Sequence, residues 1–416
     1  MKVVVVGAGI LGMAAAYHIK RIRPTADVLV LDMLNGAGMG DTGKSAAAFR
    51  TIFTSKINRL LAKTSIDFYK SVQRAGWHLS MRFVGYLFLA GAEGARNLKP
   101  VVGELKAMGL SVDYVDPPKG VRAKVSEDEE AREMGLEDVE MALLIREAGI
   151  LDPEKLLRFY EREFDRLGGR TAYGVRVTGV MNKAKKPLGI PGEPFAWQDY
   201  EVGGVYVEGG TIEADAVVFA TGAWTGDLLA AMGYGLPLRP HKRQVFVVKA
   251  DTDELKALLY DGALTGEGAM PFLILPRGIY VRPEPDEGNF WIGLADRRAY
   301  GFFEETGVEE GLWRFGIYPV LSKYIHAFEG KTPHNAWHGY YDENVVDEQP
   351  IVDELADGLY VAAGTSGSGI MKADALGRLT ASLVLGLEKA ELFGGAELAV
   401  DVLRRNRCIE PERLVL

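Results

Sequence analysis

The chain opens on an unbroken apolar run. Residues 2–6 read "KVVVV", and a continuous β-branched run predicts a strand buried on both faces. The segment "ILGMAAAYHIKRI" behind it has helical composition, and "ADVLVLD" is a second buried run ending at Asp32. Strand, helix and strand in that order form a βαβ unit, whose crossover implies a parallel sheet. A long loop of small residues, "MLNGAGMGDTGKSAAAFR", follows. The pattern then predicts a helix over about 58–73 and a strand over 82–91. A charged, mainly helical stretch is expected over about 95–150, broken at Pro117 and Pro118. "LDPEKLLRFYEREFDRLGG" reads as an amphipathic helix, capped by Asp152 with Pro153 at its first position. A hairpin and a buried strand follow in "GGVYVEGGTIEADAVVFATGAWT", and strands dominate from about 238 to 291. From Trp337 the chain returns to strand, glycine loop and helix. The last of these is "GTSGSGIMKADALG", running from Gly364 to Gly377 behind the strand "LYVAA".

The α/β pieces are thus interrupted twice by other material, which predicts two interleaved domains. One is a Rossmann-like, dinucleotide-binding domain over 1–80, 150–235 and 337–416. The other, over 81–149 and 236–336, is a substrate domain built on a mainly antiparallel sheet. The class is α/β locally and α+β overall.

Composition narrows the function. The chain has 416 residues, 48% hydrophobic, with a formal net charge of −9. An acidic balance argues against a general nucleic-acid binder, because phosphate contacts need a basic surface. The single cysteine, Cys408, excludes an intramolecular disulfide framework and a cysteine-built metal site, and no histidine pair has ligand spacing. It fits a reducing cytoplasm. No signal peptide and no run of membrane-span length is expected, which leaves room for contact with the inner face of a membrane. Many charged residues and few Asn and Gln suggest heat adaptation.

The chemistry begins at "VVVVGAGILG". Gly7, Gly9 and Gly12 make G-x-G-x-x-G: the first for the tight turn, the second for close approach of a pyrophosphate, the third for helix–strand packing. The phosphates would sit on the helix N-terminus at Ile10 and Leu11, where N–H groups point outward. Asp32, at the end of the next strand and followed by Met33, is placed for ribose hydroxyls. Two later glycine turns favour FAD over NAD by resemblance: "ADAVVFATGAWT", with Ala220, Thr221, Gly222 and Trp224, resembles the second glycine turn of flavoproteins, and "GLYVAAGTSGSGI" resembles their contact near the flavin ring.

Together these segments resemble the D-amino-acid-oxidase superfamily of FAD-dependent amine oxidoreductases. The likeness runs through most of the chain and is nearest to sarcosine oxidases and the catalytic subunit of archaeal dye-linked proline dehydrogenases. It implies oxidation of an amino acid with a secondary amine, such as L-proline or sarcosine. Hydride would pass from the carbon beside the amine to flavin N5, and electrons to a quinone, dye or protein acceptor. An O₂-using oxidase and a flavin-bearing subunit or assembly factor are the alternatives, and a homo- or hetero-oligomer is compatible with each.

The resemblance also implies roles. Thr42, Gly43, Lys44, Ser45, Ala46 and Ala47 would lie along FAD, with Val177 and Gly339 further contacts. Arg50 would grip the substrate carboxylate through paired hydrogen bonds. Tyr280 and Tyr341 would face substrate, each equally readable as core. His338 could be a base, a donor to flavin or a packed side chain. The region where some members attach flavin to cysteine, "NAWHGYYDENVVDEQP", has none, so FAD without a cysteinyl linkage is expected. Gly364, Gly367, Ser368, Gly369, Ile370, Met371 and Lys372 would lie at the flavin, with a helix N-terminus stabilising its reduced form. The family's active-site lysine falls at Met371, and Lys372 comes one place later. One residue turns a helical side chain by about 100°, so Lys372 is not expected in that role, and Met371 favours a dehydrogenase.

Overall fold

The computed structural model describes residues 1–295, 300–302, 307–409 and 412. Asp296, which ends the segment "YVRPEPDEGNFWIGLAD", lies outside them. The opening run forms the strand Lys2–Val6, with all four valines buried. It pairs in parallel with Ala216–Phe219 on one side and Asp27–Asp32 on the other. Leu359–Ala363 and Arg170–Tyr173 extend the sheet in parallel, and Ile351–Ala356 closes one edge antiparallel. A βαβ opening forces this arrangement: the helix Ile10–Ile22 carries the chain back over one face.

The helix Gly369–Val384 packs directly on Ile10–Ile22. A Cβ on Gly377 would lie 2.7 Å from the carbonyl carbon of Ala14, so only glycine allows this approach. Between the helices, buried Asp374 accepts from Arg378 Nε at 2.6 Å and from Tyr160 Oη at 3.2 Å, and lies 2.7 Å from His18 Nε2. A buried carboxylate needs such partners.

Among the described residues the second sheet has eight strands. In spatial order they are Asn335–Asn344, Leu238–Lys249, Asn289–Leu294, Ile279–Glu284, Phe272–Ile274, Tyr86–Ala90, Met141–Ile145 and Asp113–Tyr114. Only Phe272–Ile274 with Tyr86–Ala90 is a parallel pair. The mainly helical reading of 95–150 needs correction. The helices there are Ala92–Ala107 and the short Glu129–Glu133, whereas "MALLI" at Met141–Ile145 is a fully buried strand. Its residues favour helix intrinsically, and tertiary burial between two strands overrides that preference. An expected domain boundary at 337 also falls inside a strand: Asn335–Asn344 pairs with Leu238–Lys249 along all ten residues.

The small-residue loop leads into the strand Ala48–Arg50, which pairs with Ala148–Ile150 outside both large sheets. Trp337 Nε1 donates to the Lys44 carbonyl at 2.9 Å and ties that loop to the second sheet. Among the described residues, no helix is long and apolar enough to cross a membrane.

Candidate active site

The carboxyl ends of the parallel strands meet at Gly7. This residue sits at φ 107°, and a Cβ there would lie 2.4 Å from the Ala220 carbonyl oxygen. A Cβ on Gly12 would lie 1.9 Å from the Gly7 carbonyl oxygen. Both contacts are with backbone, which cannot swing aside. Gly9 is freer and would meet only Thr42 Oγ1, at 3.2 Å. The Asp32 carboxylate is held at the tip of its strand, accepting from Ala8 N at 2.7 Å and Leu34 N at 2.8 Å. Each oxygen keeps a lone pair that a hydroxyl could use.

A cavity of about 290 Å³ runs from this turn along the strand ends. Of the expected cofactor residues, Gly7, Gly9, Ile10, Leu11, Asp32 and Met33 border one end, and Thr42, Lys44, Ser45 and Ala46 line a wall. Val177, Ala220, Thr221, Gly222 and Trp224 add the second glycine turn; Gly339, Gly367, Gly369 and Ile370 reach it from the far end of the chain.

A smaller cavity, of about 130 Å³, adjoins it; Ser45, Ala46, Arg243, Tyr280, Tyr341 and Gly367 border both. Arg50 is in its wall, 5% exposed, with its guanidinium 4.4 Å from the Phe53 ring centre. Burial lowers its pKa, yet a guanidinium stays charged. Tyr86, Phe272 and Tyr280 form a stack, with ring centres 4.5 and 5.5 Å apart. Arg243 lies 5.0 Å from the Tyr341 ring centre and is braced by His241 Nε2 at 3.2 Å.

Several expected residues are elsewhere. Gly12 and Gly43 border neither cavity. Gly12 is needed for packing, and Gly43 for the loop's own turn, where a Cβ would meet the Gly38 carbonyl oxygen at 2.7 Å. Gly364 also borders neither; at φ 73° it donates its N–H to Asp342 at 2.8 Å. Ala47, Ser368, Met371 and Lys372 border the small cavity, not the long one. His338 borders neither. It alternates along the strand with Trp337 and Gly339 and packs edge-on against Tyr340, ring centres 5.9 Å apart. Burial, then the charges of Lys44 and Lys242, lower its pKa.

The FAD dependent oxidoreductase (DAO) family profile matches residues 2–383. The chain belongs to this family. Its cofactor is FAD. The flavoprotein is 26% identical to FAD-dependent oxidoreductase domain-containing protein 1 of Xenopus laevis, over 92% of this chain and 79% of that one. It is 23% identical to monomeric sarcosine oxidase of Bacillus sp. (strain B-0618), over 92% of each chain. Its fold is like that of L-proline dehydrogenase from P. horikoshii, with TM-score 0.73 and 22% identity, over 97% of this chain and 96% of that one.

The long cavity suits FAD on its own chemistry. Its glycine turn leaves room only for backbone, and the helix behind it has no side-chain cap. Asp41 adds a second sign. Its Oδ1 accepts from Tyr340 N at 2.8 Å, while its buried Oδ2 accepts no hydrogen bond from the described residues. Burial pushes this carboxyl up to about 6. An orphaned buried oxygen in a cavity wall suits a ligand donor.

Sequence reasoning missed Asp41, Asn58, Arg243 and Glu412. Glu412, in the small cavity wall, accepts from Thr54 N at 2.8 Å, Thr54 Oγ1 at 2.8 Å and Ser55 N at 3.0 Å. It thereby ties the far end of the chain to the turn that precedes the helix Lys56–Arg74, whose N-cap is Ser55. Burial alone would raise its pKa; these hydrogen bonds and Arg50 hold it below the usual carboxylate range. No sequence signal marks such a long-range contact.

Proposed function

We propose that the flavoprotein is an amino-acid dehydrogenase acting on a secondary amine of the L-proline or sarcosine kind. The observation that carries this is Arg50, a buried guanidinium in the wall of a small aromatic cavity that opens beside the long one. A planar cation so placed recognises a carboxylate. The Tyr86–Phe272–Tyr280 stack gives an apolar wall for the rest of a small amino acid. Bound FAD would supply the hydride acceptor. The chain's own residues would anchor the carboxylate, exclude water and fix the substrate carbon beside the shared wall of Ser45, Ala46 and Gly367. The likeness to a sarcosine oxidase over 92% of both chains supports an amine substrate.

Electrons would then pass to a quinone, dye or protein acceptor, with Met371 in the cavity wall. FAD would be held without a cysteinyl bond; the one cysteine, Cys408, is exposed and borders neither cavity. The test is anaerobic bleaching of the flavin by a panel of about twenty amino acids and N-methyl amines. Bleaching by L-proline or sarcosine and reoxidation by dye rather than air is expected. Fast reoxidation in air would make the protein an oxidase, and no bleaching by any amine would refute the reading.

A further inference from the structure

An amino acid with a secondary amine reaches the site as an ammonium, since such amines titrate near 10, as alkylammonium groups do. Hydride cannot leave the carbon beside a protonated nitrogen, because the lone pair that must form the C=N bond is occupied. Unless the neutral minority of the substrate is the form that binds, a group in the cavity has to take that proton.

Lys372 is in the wall of the small cavity and 1% exposed. Its Nζ donates to Asn58 Oδ1 at 2.7 Å and to Ser368 Oγ at 2.7 Å. Both partners are committed as acceptors. The Ser368 hydroxyl donates onward to the Thr365 carbonyl at 2.7 Å, and a side-chain amide oxygen cannot donate. Two of the three positions around Nζ are thus N–H donors. The third is either a further N–H or a lone pair. Nζ also lies 4.7 Å from the Phe53 ring centre, a ring contact that favours the ammonium and opposes the burial that disfavours it.

The charged groups around it do not settle a cation. Arg50, from the strand Ala48–Arg50, repels one, and Glu412 attracts one. The Glu412 carboxylate is held ionised and also accepts from Thr54, Ser55 and Asn58 Nδ2, so its attraction opposes the effect of burial. Arg243, Glu348, Tyr86 and Tyr341 border the same cavity. Burial dominates, then Glu412, then Arg50, and the amine falls to about 7.

We propose that Lys372 is the catalytic base that receives the ammonium proton of the substrate, using the lone pair left by its two fixed N–H donors. The N–H bond at the substrate nitrogen breaks and an N–H bond at Nζ forms. No electrons change hands, and the proton returns to solvent after the product leaves. This rests on the amino-acid reading above.

The test uses the holoenzyme. Anaerobic flavin reduction by sarcosine or L-proline would be followed from pH 6 to 10.5 in wild type, Lys372→Gln and Lys372→Arg. Both variants should reduce on the order of 100-fold more slowly at pH 7.5. The deficit should shrink toward pH 10.5, where the substrate arrives already neutral. An equal deficit at every pH, or none, would overturn the proposal. A second readout needs neither variants nor turnover: acylation of Lys372 in wild-type holoenzyme by acetic anhydride, measured by mass spectrometry against pH. A midpoint near 7 is expected, and one near 10 overturns the proposal. Absence of amine-driven bleaching would refute only the substrate reading, because the labelling midpoint still reports on Lys372.

Discussion

Replacing Lys372 by methionine should make the protein more stable at pH 7 than at pH 10.5, relative to wild type at each pH. The folded lysine titrates at about 7 against 10.5 for the free side chain, a difference of about 3.5 units caused mainly by burial. At about 1.4 kcal/mol per unit, the folded state carries a cost on the order of 5 kcal/mol at and below pH 7, which methionine does not. The sign follows from proton counting. Between pH 7 and 10.5 the unfolded chain holds the proton and the folded chain does not, so wild-type stability rises with pH through that window. Above it neither state is protonated and the cost is gone. Methionine also leaves Asn58 Oδ1 and Ser368 Oγ without their donor, costing about 1–3 kcal/mol each at every pH. The net effect at one pH can therefore have either sign; the slope is the diagnostic. Urea unfolding of both holoenzymes with excess FAD, at pH 7, 8, 9 and 10, measures it. The advantage of Lys372→Met should fall by up to about 1.4 kcal/mol per pH unit. A difference that stays constant across the series would show that the lysine is not buried in this way.

Gly12→Ala should abolish tight FAD binding, because its Cβ would meet a carbonyl oxygen at 1.9 Å; fluorescence titration with FAD checks this, and a wild-type Kd would refute the steric argument. Arg50→Gln should raise KM for a carboxylate substrate by about 10- to 100-fold, in line with losing a charged hydrogen-bond pair worth about 1.5–3 kcal/mol; steady-state kinetics would show it, with FAD content unchanged. Asp41→Asn should remove any step near pH 6 in the pH dependence of FAD affinity, since that carboxyl is pushed up to about 6 by burial. Met371→Lys should raise turnover with O₂, read in an oxygen electrode against a dye assay.

How much of this was legible in the sequence depends on the kind of constraint. Gly7, Asp32 and Gly222 were readable because their roles are backbone geometry and local order, fixed by a strand before and a turn after. The βαβ opening was readable for the same reason. Asp41, Asn58, Arg243 and Glu412 were not, since each acquires its setting from a segment far along the chain: Asp41 from Tyr340, Glu412 from Thr54 and Ser55. The helical-wheel argument that set Lys372 apart from Met371 does not separate the two at the small cavity. A turn of 100° separates side chains along the flank of a helix, but the cavity meets Gly369–Val384 at its first turn, and Met371 and Lys372 both border it there. "MALLI" was misread because a short apolar run carries no period of its own.

The contact of Gly377 with Ala14 has a consequence for synthesis. The helix Ile10–Ile22 emerges from the ribosome first, yet its partner Gly369–Val384 emerges some 350 residues later. At a translation rate of about 5–20 residues per second, that interval is on the order of 20–70 s. Throughout it Ala14 and His18 lack the surface that buries them, and the far wall of the long cavity has not been made. The long cavity is complete only after the chain has passed Ile370. A transcript truncated before that point yields a protein whose first helix stays open to other apolar surfaces, including another copy of itself.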